Sequence, residues 1–205
     1  MNEQIITRTG LHLCYLSTPV FGLALSMEEA SRVETLCVRW FAEEEFAEFV
    51  AVAKLLKIQE GTFFCMCRGT SRDEVSKRKA IRLYFAAVLH QFMNEVPIGR
   101  IQTKFGCDFG TVLRVQESAL TFVSMLIPFC KRLNWDIFSA VLEAFKPRWE
   151  RGVKEELLPL LRISGLTPRQ ARALFNEGLA SVDDIVSAGA ETVFRVLTHS
   201  TGFSS

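Results

Sequence analysis

Residues 160–179, with the sequence LLRISGLTPRQARALFNEGL, carry the most informative pattern in this 205-residue chain. An apolar segment runs into a tight turn, which a small residue such as Gly165 makes at low conformational cost. A helix is predicted to begin directly afterwards, because Thr167 is a good N-cap, Pro168 suits the first helical position and Gln170 completes a capping box. Two helices joined by a short glycine turn are therefore predicted here.

Cationic side chains surround this turn. Arg162, Arg169 and Arg172 lie beside the start of the second helix, where unpaired backbone amides and the helix dipole favour an anion. A helix-hairpin-helix with this chemistry is typical of units that contact the nucleic-acid backbone without reading its sequence. An ordinary antiparallel helix pair would explain Gly165 and Gly178, but it would not explain the arginines.

The composition indicates a folded protein with an uneven charge distribution. Hydrophobic residues make up 49% of the chain and charged residues 23%, with 17 phenylalanines, which excludes general disorder. Residues 68–82 hold six Lys/Arg against two acids, and residues 146–172 hold seven against three. Residues 28–48 reverse the balance, with seven Glu against two Arg. This polarity is typical of a domain that turns one face toward a polyanion.

Several kinds of site are not predicted. The six cysteines and three histidines have no zinc-ligand spacing, and most of the cysteines are expected to be buried, reduced thiols of an intracellular protein. We find no phosphate loop and no Ser/His/Asp set, so neither catalytic residues nor a metal or other cofactor are expected. The longest apolar run, 119–130, is too short to span a membrane. No signal peptide is visible, so no membrane partner is expected.

Helical periodicity over nearly every long segment predicts an all-α fold. We expect a helical bundle domain over residues 1–146 and a helix-hairpin-helix domain over residues 147–205. Residues 11–20 are the exception, predicted as a strand or an extended strap. A capping box of Ser26 and Glu29 predicts the start of the first helix, over residues 26–41. The other predicted helices cover residues 43–57, 71–93, 97–105, 110–135, 136–145, 147–163 and 167–178, with one more capped by residues 181–184.

Three segments together resemble the repair helicases related to DNA polymerase theta. GVKEELLPLLRI at residues 152–163, followed by ARALFNEG at 171–178, is similar to the end of their helicase region. NEVPIG at 94–99, with KFGC at 104–107 and QESA at 116–119, resembles the helical domain before it. LHLCYLSTP at 11–19 is similar to the opening of that domain, and the likeness is greater to the eukaryotic members than to the archaeal ones.

The resemblance implies a role for the helix over residues 110–135. In that family two motor domains and a winged helix precede a helical bundle, whose long "ratchet" helix lies along single-stranded DNA. Arg114 matches a DNA-contacting arginine of archaeal relatives. Thr121 stands where those relatives carry a base-stacking tryptophan, and the adjacent Phe122 is expected to be a core residue. Trp149 is either a stacking group or an anchor between the two domains.

The function predicted from the sequence is non-sequence-specific DNA binding and strand guidance, as the C-terminal part of a nuclear, polymerase-theta-like repair helicase. The DNA is expected to be single-stranded or forked, and an ATPase motor would be supplied in cis or in trans. Whether the chain belongs to an enzyme is left open, since it has no catalytic residues of its own. The candidate DNA-binding residues are Arg114, Lys154, Arg162, Gly165, Leu166, Thr167, Arg169 and Arg172.

Two alternatives stay open. Residues 96–115 resemble a helix-turn-helix, whose recognition helix would offer Thr111, Arg114, Gln116 and Glu117 to base edges. The acidic segment at residues 28–48 would instead suit a helical module that docks on a protein partner.

Overall fold

The computed structural model describes residues 9–19, 22, 24–68 and 73–201, and all regular secondary structure in that part of the chain is helical. The predicted all-α class is confirmed. The predicted helix start at residue 71 and the end of the predicted strap at residue 20 lie outside the described residues. The helices are α1 (Gly10–Ser17), α2 (Met27–Ala42), α3 (Ala47–Leu55), α4 (Glu60–Cys67), α5 (Glu74–Met93), α6 (Ile98–Phe105), α7 (Phe109–Arg132), α8 (Asp136–Arg151), α9 (Pro168–Asn176) and α10 (Val182–Thr201).

Helix starts follow local capping signals. The capping box of Ser26 and Glu29 begins α2, and that of Thr167 and Gln170 begins α9, both as predicted. Asp108 caps α7 by accepting a hydrogen bond from the Thr111 amide at 2.6 Å. Each of these contacts spans three residues, so the sequence alone contains the whole signal.

The first described segment corrects a prediction. Residues 10–17 form helix α1 and not a strand or strap, with Thr9 as its N-cap. The helix packs on α5 and buries Leu11, Leu13 and Cys14 in the bundle. An apolar run this short has no decisive period of its own, and packing against a neighbouring helix decides its structure.

A second correction concerns Pro147. The sequence predicted that one helix ends at Phe145 and another, beginning at Pro147, continues to residue 163. Instead α8 is continuous through Pro147 and ends at Arg151, and its C-cap Gly152 has a left-handed φ of 62°. Two short 3-10 turns, Glu155–Leu157 and Leu160–Arg162, then lead to the hairpin. The segment before the glycine turn is therefore a 3-10 turn, and only α9 is a full helix.

The bundle core is built around aromatic rings. Trp40 is fully buried, and its ring lies 5.2 Å from Phe49, 5.6 Å from Phe105 and 5.9 Å from Tyr84, centroid to centroid. Helix α5 runs through this core with residues 83–89 all buried. Rings in contact from α2, α3, α5 and α6 hold these helices at fixed positions.

The hairpin unit, which we define as residues 153–201, has a smaller core of its own. Its buried side chains are Val153, Leu157, Leu160, Leu161, Ala171, Leu174 and Val196. The bundle cluster ends at Trp149 and this cluster begins at Val153. Helix α10 bends at Gly189, where φ is 79°. The domain division at residues 146 and 147 stays a prediction.

The described cysteines are free thiols. Cys14, Cys107 and Cys130 are buried, as expected, whereas Cys65 is exposed. Burial raises the pKa of Cys14 to about 12 and that of Cys107 to about 11, so both are protonated at neutral pH. The side chains of Cys37 and Cys67 lie outside the described residues.

Among the described helices, α7 alone is long and apolar enough to cross a membrane by length and composition. In this fold it packs against α8 and α5. Its side chains Val112, Val115, Ala119 and Val123 are buried in the bundle core. We therefore interpret α7 as a bundle helix.

Candidate nucleic-acid interface

The turn before α9 forms an open corner of the hairpin unit. Gly165 has a φ of 84°, and a Cβ built at this residue would meet no other atom within 4 Å. Thr167 and Arg169 are exposed, while Leu166 is half-buried against the small core. We call Arg162, Gly165, Thr167 and Arg169 the hairpin corner.

Two backbone amides of this corner are already hydrogen-bonded. The Thr167 amide donates to Gln170 Oε1 at 3.0 Å, and the Gln170 amide donates to Thr167 Oγ1 at 3.3 Å. The Thr167 hydroxyl also donates to Gln170 Oε1, at 2.8 Å. The sequence predicted both this capping box and unpaired amides at the same helix start. The structure shows that the box satisfies two of those donors, which leaves fewer unpaired amides at the corner than the sequence predicted.

Arg162 and Arg169 have exposed side chains. Within the part of the chain that the structure describes, neither guanidinium lies within 4 Å of a carboxylate. Their positive charge therefore faces solvent and is open to an anion.

Arg172 differs from these two. Its Nε and one terminal nitrogen each donate to a carboxylate oxygen of Glu95, both at 2.7 Å, and the other terminal nitrogen lies 2.7 Å from Glu156 Oε1. The guanidinium also lies over the Phe175 ring, 5.2 Å from its centroid. The prediction that Arg172 contacts DNA stays untested, but the structure already gives this side chain two carboxylate partners.

Glu95 is the centre of a joint between bundle and hairpin unit. It follows α5 with a left-handed φ of 60°, and its Oε1 also accepts the Lys154 amide at 2.9 Å. Burial alone would raise the pKa of Glu95, but the hydrogen bonds from Arg172 and the Lys154 amide hold this pKa below its ordinary value. The same hydrogen bonds to Glu95 and Glu156 raise the pKa of Arg172. We call the contacts of Glu95 with Arg172 and Lys154 the Glu95 joint.

Lys154 thus acts in this joint through its backbone, while its side chain is exposed. No signal in the sequence points to the joint, because Glu95 and Arg172 are 77 residues apart.

Arg114 lies near the start of α7 with its side chain half exposed, 3.9 Å from Glu29 Oε1. One terminal nitrogen donates to Thr111 Oγ1 at 3.3 Å. Glu29 is nearly buried and also accepts the Thr111 hydroxyl at 2.7 Å. The Arg114 charge is therefore partly balanced, although its guanidinium still reaches solvent.

The alternatives lose support from the same region. Thr111 is buried, and the Gln116 amide donates to the carbonyl oxygens of Trp149 and Glu150, at 2.8 and 2.9 Å. Two of the four side chains expected to read bases are thus occupied inside the chain. In the acidic segment, Glu29 and Glu48 hydrogen-bond to other parts of the bundle, and Glu43 pairs with Arg39.

The aromatic candidates also change. Trp149 is fully buried in the bundle core, so it anchors the end of α8 and cannot stack on a base. Phe122 is half-buried. Four aromatic side chains that were not predicted as candidates are exposed in the described part of the chain: Phe109, Phe129, Trp135 and Phe194. Helical spacing alone does not distinguish an exposed phenylalanine from a core one.

The helical bundle matches a known protein family. Residues 2–149 match the family described as "DNA_pol_Q helicase like region helical domain". The chain belongs to this family. The DNA_pol_Q helical-domain match covers α1 to α8 up to Trp149, which agrees with the resemblance seen in the sequence.

The relatives of this chain are much longer proteins. It is 27% identical to DNA polymerase theta of Drosophila melanogaster over 99% of its length, and 30% identical to that of Mus musculus over 99%. It is 33% identical to the ATP-dependent DNA helicase Hel308 of Pyrococcus horikoshii over 62% of its length. These alignments cover only 10%, 8% and 20% of the respective relatives.

Proposed function

We propose that this chain binds the sugar-phosphate backbone of DNA through the hairpin corner and guides a DNA strand, without sequence preference. The observation that carries the proposal is the pair Arg162 and Arg169, both exposed and without a carboxylate partner in the described residues. Gly165 lets a strand approach closely because no side chain projects from the turn. Guanidinium groups bind phosphate oxygens in a fork and give salt-sensitive affinity.

The remaining candidate residues contribute to DNA binding in different ways in this proposal. Lys154 adds an exposed charge to the hairpin unit, and Thr167 and Leu166 shape the turn. Arg172 is a positioning residue that holds the hairpin unit on the bundle. Arg114 is a separate contact on α7, weakened by Glu29.

Family membership supports the wider proposal. Named relatives are a DNA polymerase and an ATP-dependent DNA helicase. We propose that this chain contributes a DNA-guiding region to a repair helicase acting in the nucleus, on single-stranded or forked DNA. Catalysis would come from motor domains in cis or in trans.

Binding of labelled single-stranded DNA, followed by fluorescence anisotropy over a salt series, tests the corner. Reversing both charges, Arg162→Glu with Arg169→Glu, should weaken binding by tenfold or more, as roughly two phosphate contacts are lost. The slope of log affinity against log salt should fall by about 1.4.

A matched control reverses two exposed lysines, one in the last turn of α3 and one just after it. Lys54→Glu with Lys57→Glu changes the net charge by the same amount. The control should retain most of its affinity. If both variants lose the same affinity for DNA, the loss comes from the change in net charge and not from the corner. Unchanged affinity in the corner variant would reject the proposal.

A further inference from the structure

A groove between α2 and α6 combines an apolar floor with cationic edges. Its volume is about 320 Å³, which lies within the range of ligand-binding clefts. The side chains that carry its chemistry are Leu36, Trp40, Phe46, Arg39, Arg100 and Lys104. No Asp or Glu belongs to the lining of this groove in the part of the chain that the structure describes. We call it the α2–α6 groove.

The two helices each turn one face to the groove. Arg100 and Lys104 are four residues apart on α6, and Leu36 and Trp40 have the same spacing on α2, so each pair lies on one side of its helix. Trp40 is fully buried at the centre of the aromatic core. The floor of the groove therefore belongs to the packed core and is in place before any ligand binds.

The cations of the groove differ in what they already contact. Arg39 pairs with Glu43 at 2.8 Å, and the Lys104 ammonium lies 4.5 Å from the centroid of the Phe46 ring. Arg100 is exposed, and among the described residues no carboxylate lies within 4 Å of its guanidinium. Arg100 thus gives the groove a positive charge that no described carboxylate balances.

We infer that the α2–α6 groove is a docking site for an acidic segment of a partner protein. A carboxylate of that segment would bind Arg100 in a fork, and a neighbouring apolar side chain would cover the floor. Recognition of acidic motifs by arginine-bearing surfaces is a recurring mode of peptide binding. A nucleic-acid strand would supply phosphates for the edges but no flexible apolar side chain for a recessed floor, so charge and shape together favour a peptide.

The groove changes the charge expected of a protein partner. From the sequence, residues 28–48 would dock on a partner through their acids, whereas the structure turns Arg39 of this segment toward the groove. The inference does not depend on the proposed function, because the groove shares no residue with the hairpin corner. DNA binding and peptide binding can therefore be tested separately.

Selection from a library of random peptides displayed on phage, with the whole chain immobilised, tests the groove. Enriched peptides should combine Asp or Glu with a large apolar residue. A labelled copy of an enriched peptide is then titrated with the chain, and fluorescence anisotropy gives its affinity. Labelled oligothymidine is titrated in parallel as the nucleic-acid probe.

Two variants assign the peptide to the groove. Arg100→Glu should weaken peptide binding by roughly tenfold or more, because it places like charges together. Gly99→Leu keeps every charge and should cause a similar loss, since Gly99 lines the groove and a Cβ built there meets no other atom within 4 Å. Both positions are exposed, so both variants should fold as the parent chain does. Lys54→Glu, an exposed reversal of the same size on α3, should bind the peptide as the parent does.

Three results would overturn the inference. Failure to enrich any acidic peptide on the parent chain would show that the groove is not a docking site. Enriched peptides that bind Arg100→Glu and Gly99→Leu as tightly as the parent would occupy another surface. Loss of oligothymidine binding in both variants, with no acidic peptide enriched, would make the groove part of the DNA-binding surface instead. Peptide binding that survives reversal of Arg162 and Arg169 would support a site separate from the hairpin corner.

Discussion

The bundle and the hairpin unit are stabilised in different ways. The bundle packs aromatic rings from several helices around Trp40. In the described part of the hairpin unit the fully buried side chains are aliphatic residues and one alanine, and Phe175 is half-buried against them. A small core provides less free energy per residue. The Glu95 joint holds the hairpin unit on the bundle, and Arg162 and Arg169 lie at the surface of this unit without a carboxylate partner among the described residues.

The largest expected effect lies in the bundle. Trp40→Ala removes the ring shared by α2, α3, α5 and α6 and leaves a cavity, which should lower the free energy of unfolding by about 3–5 kcal/mol. Urea denaturation followed by circular dichroism measures this loss. Phe194→Ala, on the exposed face of α10, should change stability by less than about 0.5 kcal/mol. Similar losses in both variants would contradict the difference between the two regions.

Breaking the joint should affect the hairpin unit first. Glu95→Gln removes the charge that binds Arg172 and should cost about 2 kcal/mol, because the guanidinium keeps only Glu156 as a charged partner. Hydrogen exchange should show faster opening of α9 than of α5. Glu191→Gln, an exposed carboxylate on α10, serves as the control. Equal exchange rates in α9 of the parent and Glu95→Gln chains would show that the joint is not needed.

Acid should weaken the same joint. Because the folded-state pKa of Glu95 lies below its ordinary value, its contribution is complete above the unfolded pKa of about 4.3 and is lost as the pH falls through the folded pKa. The stability difference between the parent chain and Glu95→Gln should be constant near neutral pH and shrink below about pH 4. Asp73, Asp108 and Asp184, whose pKa values are also lowered, contribute equally to both chains and cancel. A difference that persists at low pH would exclude an ionic joint.

The smallest expected effect is local to the hairpin corner. Gly165→Ala places a Cβ in a left-handed conformation and should cost about 1 kcal/mol, although nothing nearby would clash with it. Thermal unfolding of the hairpin unit measures this, and α5 should keep its exchange protection. A larger loss that extends into the bundle would mean that the turn is coupled to the main core.

Features that depend on neighbouring residues were predictable from the sequence. The capping boxes at Ser26 and Thr167 and the turn at Gly165 each lie within a few residues, and all three were predicted correctly. Helix α1 and the passage of α8 through Pro147 were not, because contacts with α5 and α7 override local preference.

In the candidate site, too, local features could be predicted from the sequence and those that depend on distant contacts could not. Exposed cations at Arg162 and Arg169 follow from a local pattern, but the engagement of Arg172 depends on a carboxylate in a distant turn. Exposure of Phe129 and Trp135 likewise depends on which face of α7 the bundle covers, and one helix's sequence does not contain that information.

Gly152 sets how closely the two halves of the molecule approach each other. Any side chain at this position would overlap the ring of Phe92 at the end of α5, in addition to straining a left-handed backbone. The absence of a side chain at Gly152 therefore allows its backbone to lie directly against the Phe92 ring. A single alanine there would act as a wedge between the end of α5 and the start of the hairpin unit, without changing any residue of the hairpin corner.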